Sequence, residues 1–111
     1  MQEEFSDCLQ ACQDCAAECY HCASACLQED DVKMMARCIA LDIDCAQACT
    51  FAAAAMARGS EHAPAICALC ADLCQACGQE CEKHDMDHCQ QCASACFDCA
   101  EQCRSMAKAQ A

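Results

Sequence analysis

The 111-residue chain contains no tryptophan, a single proline and two glycines, and its aromatic residues are three phenylalanines and one tyrosine. With alanine abundant and helix breakers this scarce, the sequence predicts a mostly helical chain with few places to turn. Basic residues are scarce too: six Lys and Arg stand against 18 Asp and Glu, a formal charge of −12. That balance speaks against nucleic acid or an anionic membrane surface as a partner. No apolar run approaches the roughly 20 residues that a membrane span needs. The opening MQEEFSDC has neither a basic nor an apolar signal region, so the cytoplasm is the expected location. A Ser–His–Asp set, a Gly-rich phosphate loop and paired catalytic carboxylates are all missing, and the chain is read as no enzyme.

What the chain has instead is cysteine, 19 residues of 111, set in a regular rhythm. Cys8, Cys12, Cys15, Cys19, Cys22 and Cys26 follow one another at intervals of 4, 3, 4, 3 and 4. The rhythm returns at Cys67, Cys70, Cys74, Cys77 and Cys81, and again at Cys89, Cys92, Cys96, Cys99 and Cys103. Alternating threes and fours make the stripe of a helix that faces a bundle core, a place normally filled by Leu, Ile or Val. A sparser stripe carries Cys38, Cys45 and Cys49, in register with Met35, Asp42, Ala52 and Met56.

These stripes predict four helices, at about residues 6–28, 32–58, 61–84 and 87–107, within one domain spanning 1–111. Asp30 or Asp31 can cap the second helix, Ser60 the third, and Asp85 or Asp87 the fourth. Gly59 fits the residue just past a helix end, and Pro64 is tolerated in or near a first turn. Gly78 falls inside the third helix at a cost of about 1 kcal/mol relative to Ala, which a close helix contact would explain. Short connections between long helices place neighbours antiparallel. The expected fold is therefore all-α, an up-down-up-down four-helix bundle with a cysteine-lined core. The likeness of His21–Cys26 (HCASAC) to Gln91–Cys96 (QCASAC) supports helices built on one plan.

A disulfide scaffold fits poorly. The cysteine count is odd, and side chains three or four apart on a helix keep their Cβ atoms about 5–6 Å apart, beyond disulfide reach. Packing alone fits poorly as well, because small thiols bury little apolar area and invite oxidation. The larger apolar residues, such as Leu9, Ile43, Phe51, Leu69 and Phe97, mostly fall off the stripe, on faces suited to helix flanks or a partner subunit. Asp42 is the odd member of its seam, because a buried carboxylate needs a partner. It either hydrogen-bonds to thiols or lies just off the seam, and the second is the preferred reading.

Reduced thiols bind soft metals, which leaves Cu(I), Zn(II) or iron–sulfur clusters. Iron–sulfur motifs wrap the cluster in an irregular loop often ending in Pro, whereas no cysteine here precedes Pro. Thioredoxin-like use of the C-x2-C pairs would want a βαβ setting. Zinc needs four convergent ligands, which adjacent helices could supply, so a zinc or cadmium thiolate buffer of metallothionein type stands as the alternative. Cu(I) fits best, because it accepts two or three thiolates and a pair at i and i+3 or i+4 already makes a site. A dianionic thiolate pair around every monovalent ion would load a dry core with negative charge. Bridging thiolates, with copper roughly equal to thiolate in number, leave it nearly neutral. All 19 cysteines are thus candidate ligands for multiple Cu(I) ions. The bundle is expected to fold without metal, its thiols protonated.

Antiparallel helices gather Cys26, Met35, Cys38, Cys81, His84, His88 and Cys89 at one end, and Met1, Phe5, Met56, Met106 and His62 at the other. His84 and His88 continue the register of the third stripe and are candidate ligands at an entrance; His21 is peripheral. Ions must come from a donor and pass to a recipient, so copper chaperones and cuproproteins are the expected partners.

Three stretches carry a family resemblance: Ile66–Cys74 (ICALCADLC), Lys83-His84-Asp85 through Asp87-His88-Cys89, and Cys99–Met106 (CAEQCRSM). With them the chain resembles the bacterial four-helix-bundle copper storage proteins, specifically the cytosolic branch, over nearly its whole length. The resemblance implies storage of many Cu(I) ions along a cysteine-lined lumen, ligation by all the cysteines, and homotetramers of bundles. Ligation by His84 and His88 carries over too, while Met86 stands where relatives can have a further histidine.

Overall fold

A computed structural model describes residues 3–109 of the chain. Helix α1 spans Glu3–Cys26, α2 Ala36–Ala57, α3 Ala63–Glu82 and α4 Asp87–Ala109, and a 3-10 turn, Val32–Met35, leads into α2. Each helix packs against two others: α1 against α2 and α4, α3 against α2 and α4. With short links between successive helices, that is the up-down-up-down bundle, and its principal extents are 44 × 19 × 19 Å. Helices about 10 Å across, side by side, fill such a cross-section, leaving between them only the space their inward side chains occupy.

The core follows directly from the stripes. Every cysteine is buried, and Ala46, Ala52, Ala55, Ala71 and Ala100 fill the positions between them. One stretch, Val32–Ala57, is long and apolar enough to cross a membrane by length and composition, which corrects the expectation that no such run exists. Its apolar character comes from alanine and cysteine together with larger residues such as Ile39, Leu41, Ile43 and Phe51, and Cys38, Cys45, Cys49, Ala52, Ala55 and Met56 turn it into a wall of the bundle core.

The ends show which local signals govern the turns. Asp31 caps the 3-10 turn, accepting from the Met34 N–H at 3.2 Å, so α2 itself starts four residues later than the sequence suggests. Gly59, at φ +66°, ends α2. The Ser60 N–H reaches the Ala55 carbonyl (2.9 Å) and the Gly59 N–H that of Met56 (3.2 Å), the paired bonds of a Schellman ending. The expected cap at Ser60 is corrected: its hydroxyl accepts from the His62 N–H at 3.1 Å, and His62 precedes the first residue of α3, with Pro64 in the opening turn. Asp87 lies inside the first turn of α4 rather than before it, where its charge complements the helix dipole.

Gly78 has the close contact its place in α3 calls for. A Cβ there would stand 2.7 Å from Cε1 of Phe97, whose ring lies across the α3–α4 seam.

Candidate metal centre

The lumen is a column of thiols. Between helices the Sγ atoms approach to 3.4 Å (Cys45–Cys74) and 3.6 Å (Cys12–Cys103, Cys49–Cys74, Cys38–Cys81), and along a helix i, i+4 neighbours such as Cys15–Cys19 and Cys22–Cys26 stand 3.9 Å apart. All 19 are free thiols. Metal–thiolate bonds of about 2.3 Å place sulfurs roughly 3.8–4.0 Å apart around a tetrahedral or trigonal ion. The thiol lattice thus already has nearly the spacing that metal ligation requires.

The thiols also overlap in groups. Four-sulfur clusters form at Cys22, Cys26, Cys38 and Cys89; at Cys19, Cys77, Cys92 and Cys96; at Cys15, Cys19, Cys45 and Cys96; at Cys15, Cys49, Cys74 and Cys99; and at Cys12, Cys70, Cys99 and Cys103. Cys15, Cys19, Cys96 and Cys99 each belong to two of these. Shared sulfurs are what bridging thiolates need, so the four linked groups can hold a run of soft ions rather than isolated sites, while the Cys22–Cys26–Cys38–Cys89 group shares no sulfur with those four. Cys8 extends it toward the far end through Cys103 at 3.8 Å, and Cys67 is buried in the same core.

Asp42 interrupts the column, and the preferred sequence reading is corrected here. Its side chain is fully buried on the seam. Oδ1 accepts from Cys77 (3.1 Å), Cys81 (3.4 Å) and Cys92 (3.4 Å), and Oδ2 from Cys38 at 3.9 Å. The position is tenable because thiols are donors and four of them surround it. Burial pushes its carboxyl up from 3.8 to about 8. Burial likewise raises the thiol of Cys26 and brings that of Cys89 up to about 11.

The two ends differ. At the end where α1 stops and α4 starts, His88 Nδ1 faces the sulfurs of Cys89 (3.5 Å), Cys22 (3.6 Å) and Cys26 (4.0 Å), while Nε2 lies 3.1 Å from Oε1 of Glu29. His84 directs Nε2 to Oε2 of Glu80 at 2.9 Å. The other oxygen of Glu80 takes Arg37 (3.2 Å) and Lys83 (3.5 Å). Burial pushes the Glu80 carboxyl up, but the His84 hydrogen bond and the Lys83 charge outweigh it and hold it below the ordinary range. Met35 is buried at this end, and Met86 packs partly against the core. The opposite end is shut by Met56 and Met106, each 2% exposed, with Phe5 packed alongside; His62 there is exposed and paired with Glu61. Met1 lies outside the described residues, and His21 is exposed.

The sequence reading missed both glutamates. Glu80 could have been found, since it precedes His84 by four residues and an i, i+4 pair shares a helix face. Glu29 sits in the turn after α1, and no periodicity marks it.

An all-α bundle whose core is a lattice of shared thiols defines a protein that holds many soft metal ions. The family model described as copper storage protein matches residues 1–108, and the chain belongs to that family. An uncharacterized cysteine-rich protein of Bacillus subtilis strain 168, YhjQ, is 55% identical over 106 residues, which cover 95% of this chain and 98% of the relative. The structure of the Cu(I)-bound copper storage protein BsCsp3 matches with a TM-score of 0.91 at 53% identity, covering 95% of this chain and 99% of that one. A cytosolic copper storage protein from Streptomyces lividans, in a structure with five coppers, matches with a TM-score of 0.92 at 38% identity, covering 96% of this chain and 93% of that one.

Proposed function

We propose that the protein stores Cu(I) in the cytoplasm, sequestering many ions per bundle on its core thiolates and so buffering copper and limiting its toxicity. The observation that carries this reading is the sharing of sulfurs between adjacent four-thiol groups, which suits bridged, nearly charge-balanced copper–thiolate clusters. The ligands are the 19 cysteines, with His84 and His88 as nitrogen ligands at the entrance. Membership of the copper storage family and the Cu(I)-bound relative favour copper over the zinc or cadmium buffer. The role is storage rather than catalysis.

Copper enters at the His84–His88 end. That end offers nitrogen and sulfur donors together, whereas Met56 and Met106 plug the other. Each thiolate formed releases its proton, so uptake weakens as pH falls. Exposed Tyr20, Phe51 and Leu69, each about half accessible, suit burial between bundles in a homotetramer. Chaperones would supply the ions, and cuproproteins receive them. Metal analysis of protein purified from copper-fed and from zinc-fed cells tests the function. Copper in large excess over zinc is expected from the first, and zinc filling from the second at equal capacity would refute it.

A further inference from the structure

Two carboxylates outside the thiol column contact the two entrance histidines in the same way. Glu29, in the turn after α1, stands 3.1 Å from Nε2 of His88, and Glu80, one helical turn before His84, stands 2.9 Å from its Nε2. An ionised carboxylate only accepts hydrogen bonds. At these distances each Nε2 therefore carries the hydrogen, and in a neutral imidazole Nδ1 is left with its lone pair. For His88 that lone pair points at Cys89, Cys22 and Cys26, 3.5–4.0 Å away. Its ring is 16% exposed and Glu29 33%, so the contact closes the gap between the end of α1 and the start of α4.

We infer that Glu29 is a positioning residue for copper entry, aiming His88 Nδ1 into the Cys22–Cys26–Cys89 group and raising its basicity, while Glu80 holds Nε2 of His84. A ligating histidine whose far nitrogen donates to a carboxylate is a stiffer and stronger ligand, and loss of such a partner typically costs about 10- to 100-fold in metal affinity. Glu80 is itself held in place by Arg37 at 3.2 Å and Lys83 at 3.5 Å, so it is already oriented before copper arrives. The Glu29 carboxylate has no other hydrogen-bond partner among the described residues, and its main effect is therefore on His88. The inference rests on the proposed role of His88 as a ligand, and its test separates the two.

The test uses the reduced, metal-free full chain and Cu(I) supplied by a chromophoric chelator. Glu29→Ala is expected to weaken capture of the first ions about 10-fold or more, with the final copper content unchanged. Glu29→Gln, which keeps an oxygen able to accept from Nε2–H, is expected to stay close to the parent. In a His88→Ala background the further change Glu29→Ala should do nothing, because a residue that acts through His88 has nothing left to position. Nitrogen-15 spectra of the histidine rings should show Nε2–H hydrogen-bonded in the parent and freed in Glu29→Ala. The positioning role is overturned if Glu29→Ala leaves capture unchanged while His88→Ala impairs it, or if Glu29→Ala impairs it equally with and without His88. Unchanged capture in His88→Ala alone overturns the ligand reading beneath it.

Discussion

Asp42 gives the most exacting prediction, because its carboxyl is buried among thiols and its protonation is tied to folding. Burial holds it at about 8 in the folded chain against 3.8 ordinarily. A carboxyl raised on folding keeps a proton that the unfolded chain gives up. Its contribution is therefore intact below the unfolded value and is lost as pH climbs toward the folded one. Between those limits the loss is about 1.4 kcal/mol per pH unit, or roughly 3 kcal/mol from about pH 5 to about pH 7. That is a large part of a small domain's usual stability of about 5–15 kcal/mol. Asp42→Asn keeps an oxygen for Cys77, Cys81 and Cys92 but cannot ionise. Urea unfolding of the reduced, metal-free parent and variant at several pH values gives the difference directly. Glu80, whose depressed carboxyl works in the opposite sense at acid pH, cancels in that difference. The variant should gain on the parent steadily as pH rises through the window, before unfolded thiols begin to ionise. Parallel curves would refute the claim that Asp42 is protonated in the metal-free lumen.

Gly78→Ala should destabilise the bundle by about 1 kcal/mol net, since overpacking at Phe97 costs about 1–3 kcal/mol and helix propensity returns about 1; the double variant with Phe97→Leu should recover most of it, and an unimpaired single variant in urea melts would show that the seam yields freely. The reduced metal-free chain should give a strongly helical circular dichroism spectrum, because its core is complete without ions; a disordered spectrum would mean that metal supplies the folding energy. Copper held at neutral pH should pass to a competing chelator progressively more easily as pH falls, since each thiolate takes back a proton; transfer independent of pH would mean that binding does not displace thiol protons.

Most of this architecture is written in periodicity. The Cys8–Cys26 ladder determines which face of α1 is buried, and the same spacing does so for α3 and α4. Gly59 and Asp31 mark their turns by chemistry that acts over a few residues: Gly59 ends α2 as expected, whereas Asp31 caps the 3-10 turn that leads into α2 rather than α2 itself. What the sequence hides depends on three-dimensional company. A carboxylate on a seam looks like an error until Cys77, Cys81 and Cys92 arrive from two other helices as donors, so Asp42 could not be placed from α2 alone. Ser60 lost its expected role to a local turn two residues early, a shift that propensity does not resolve. The partnership of Glu29 with His88 joins residues 59 apart in sequence, and only the closing of the bundle brings them together. The register of His84 and His88 with the third stripe was legible, but which ring nitrogen faces the thiols was not.

The central claim is that the thiols act as one bridged lattice, and stoichiometry tests it most directly. Anaerobic titration of the reduced protein with Cu(I), read by a competing chromophoric chelator and checked by metal analysis of the recovered protein, counts the ions held per chain. Bridging within a nearly neutral lumen predicts saturation on the order of one ion per cysteine. Saturation at roughly four or five ions, the number that separate four-thiolate sites would hold, would contradict it.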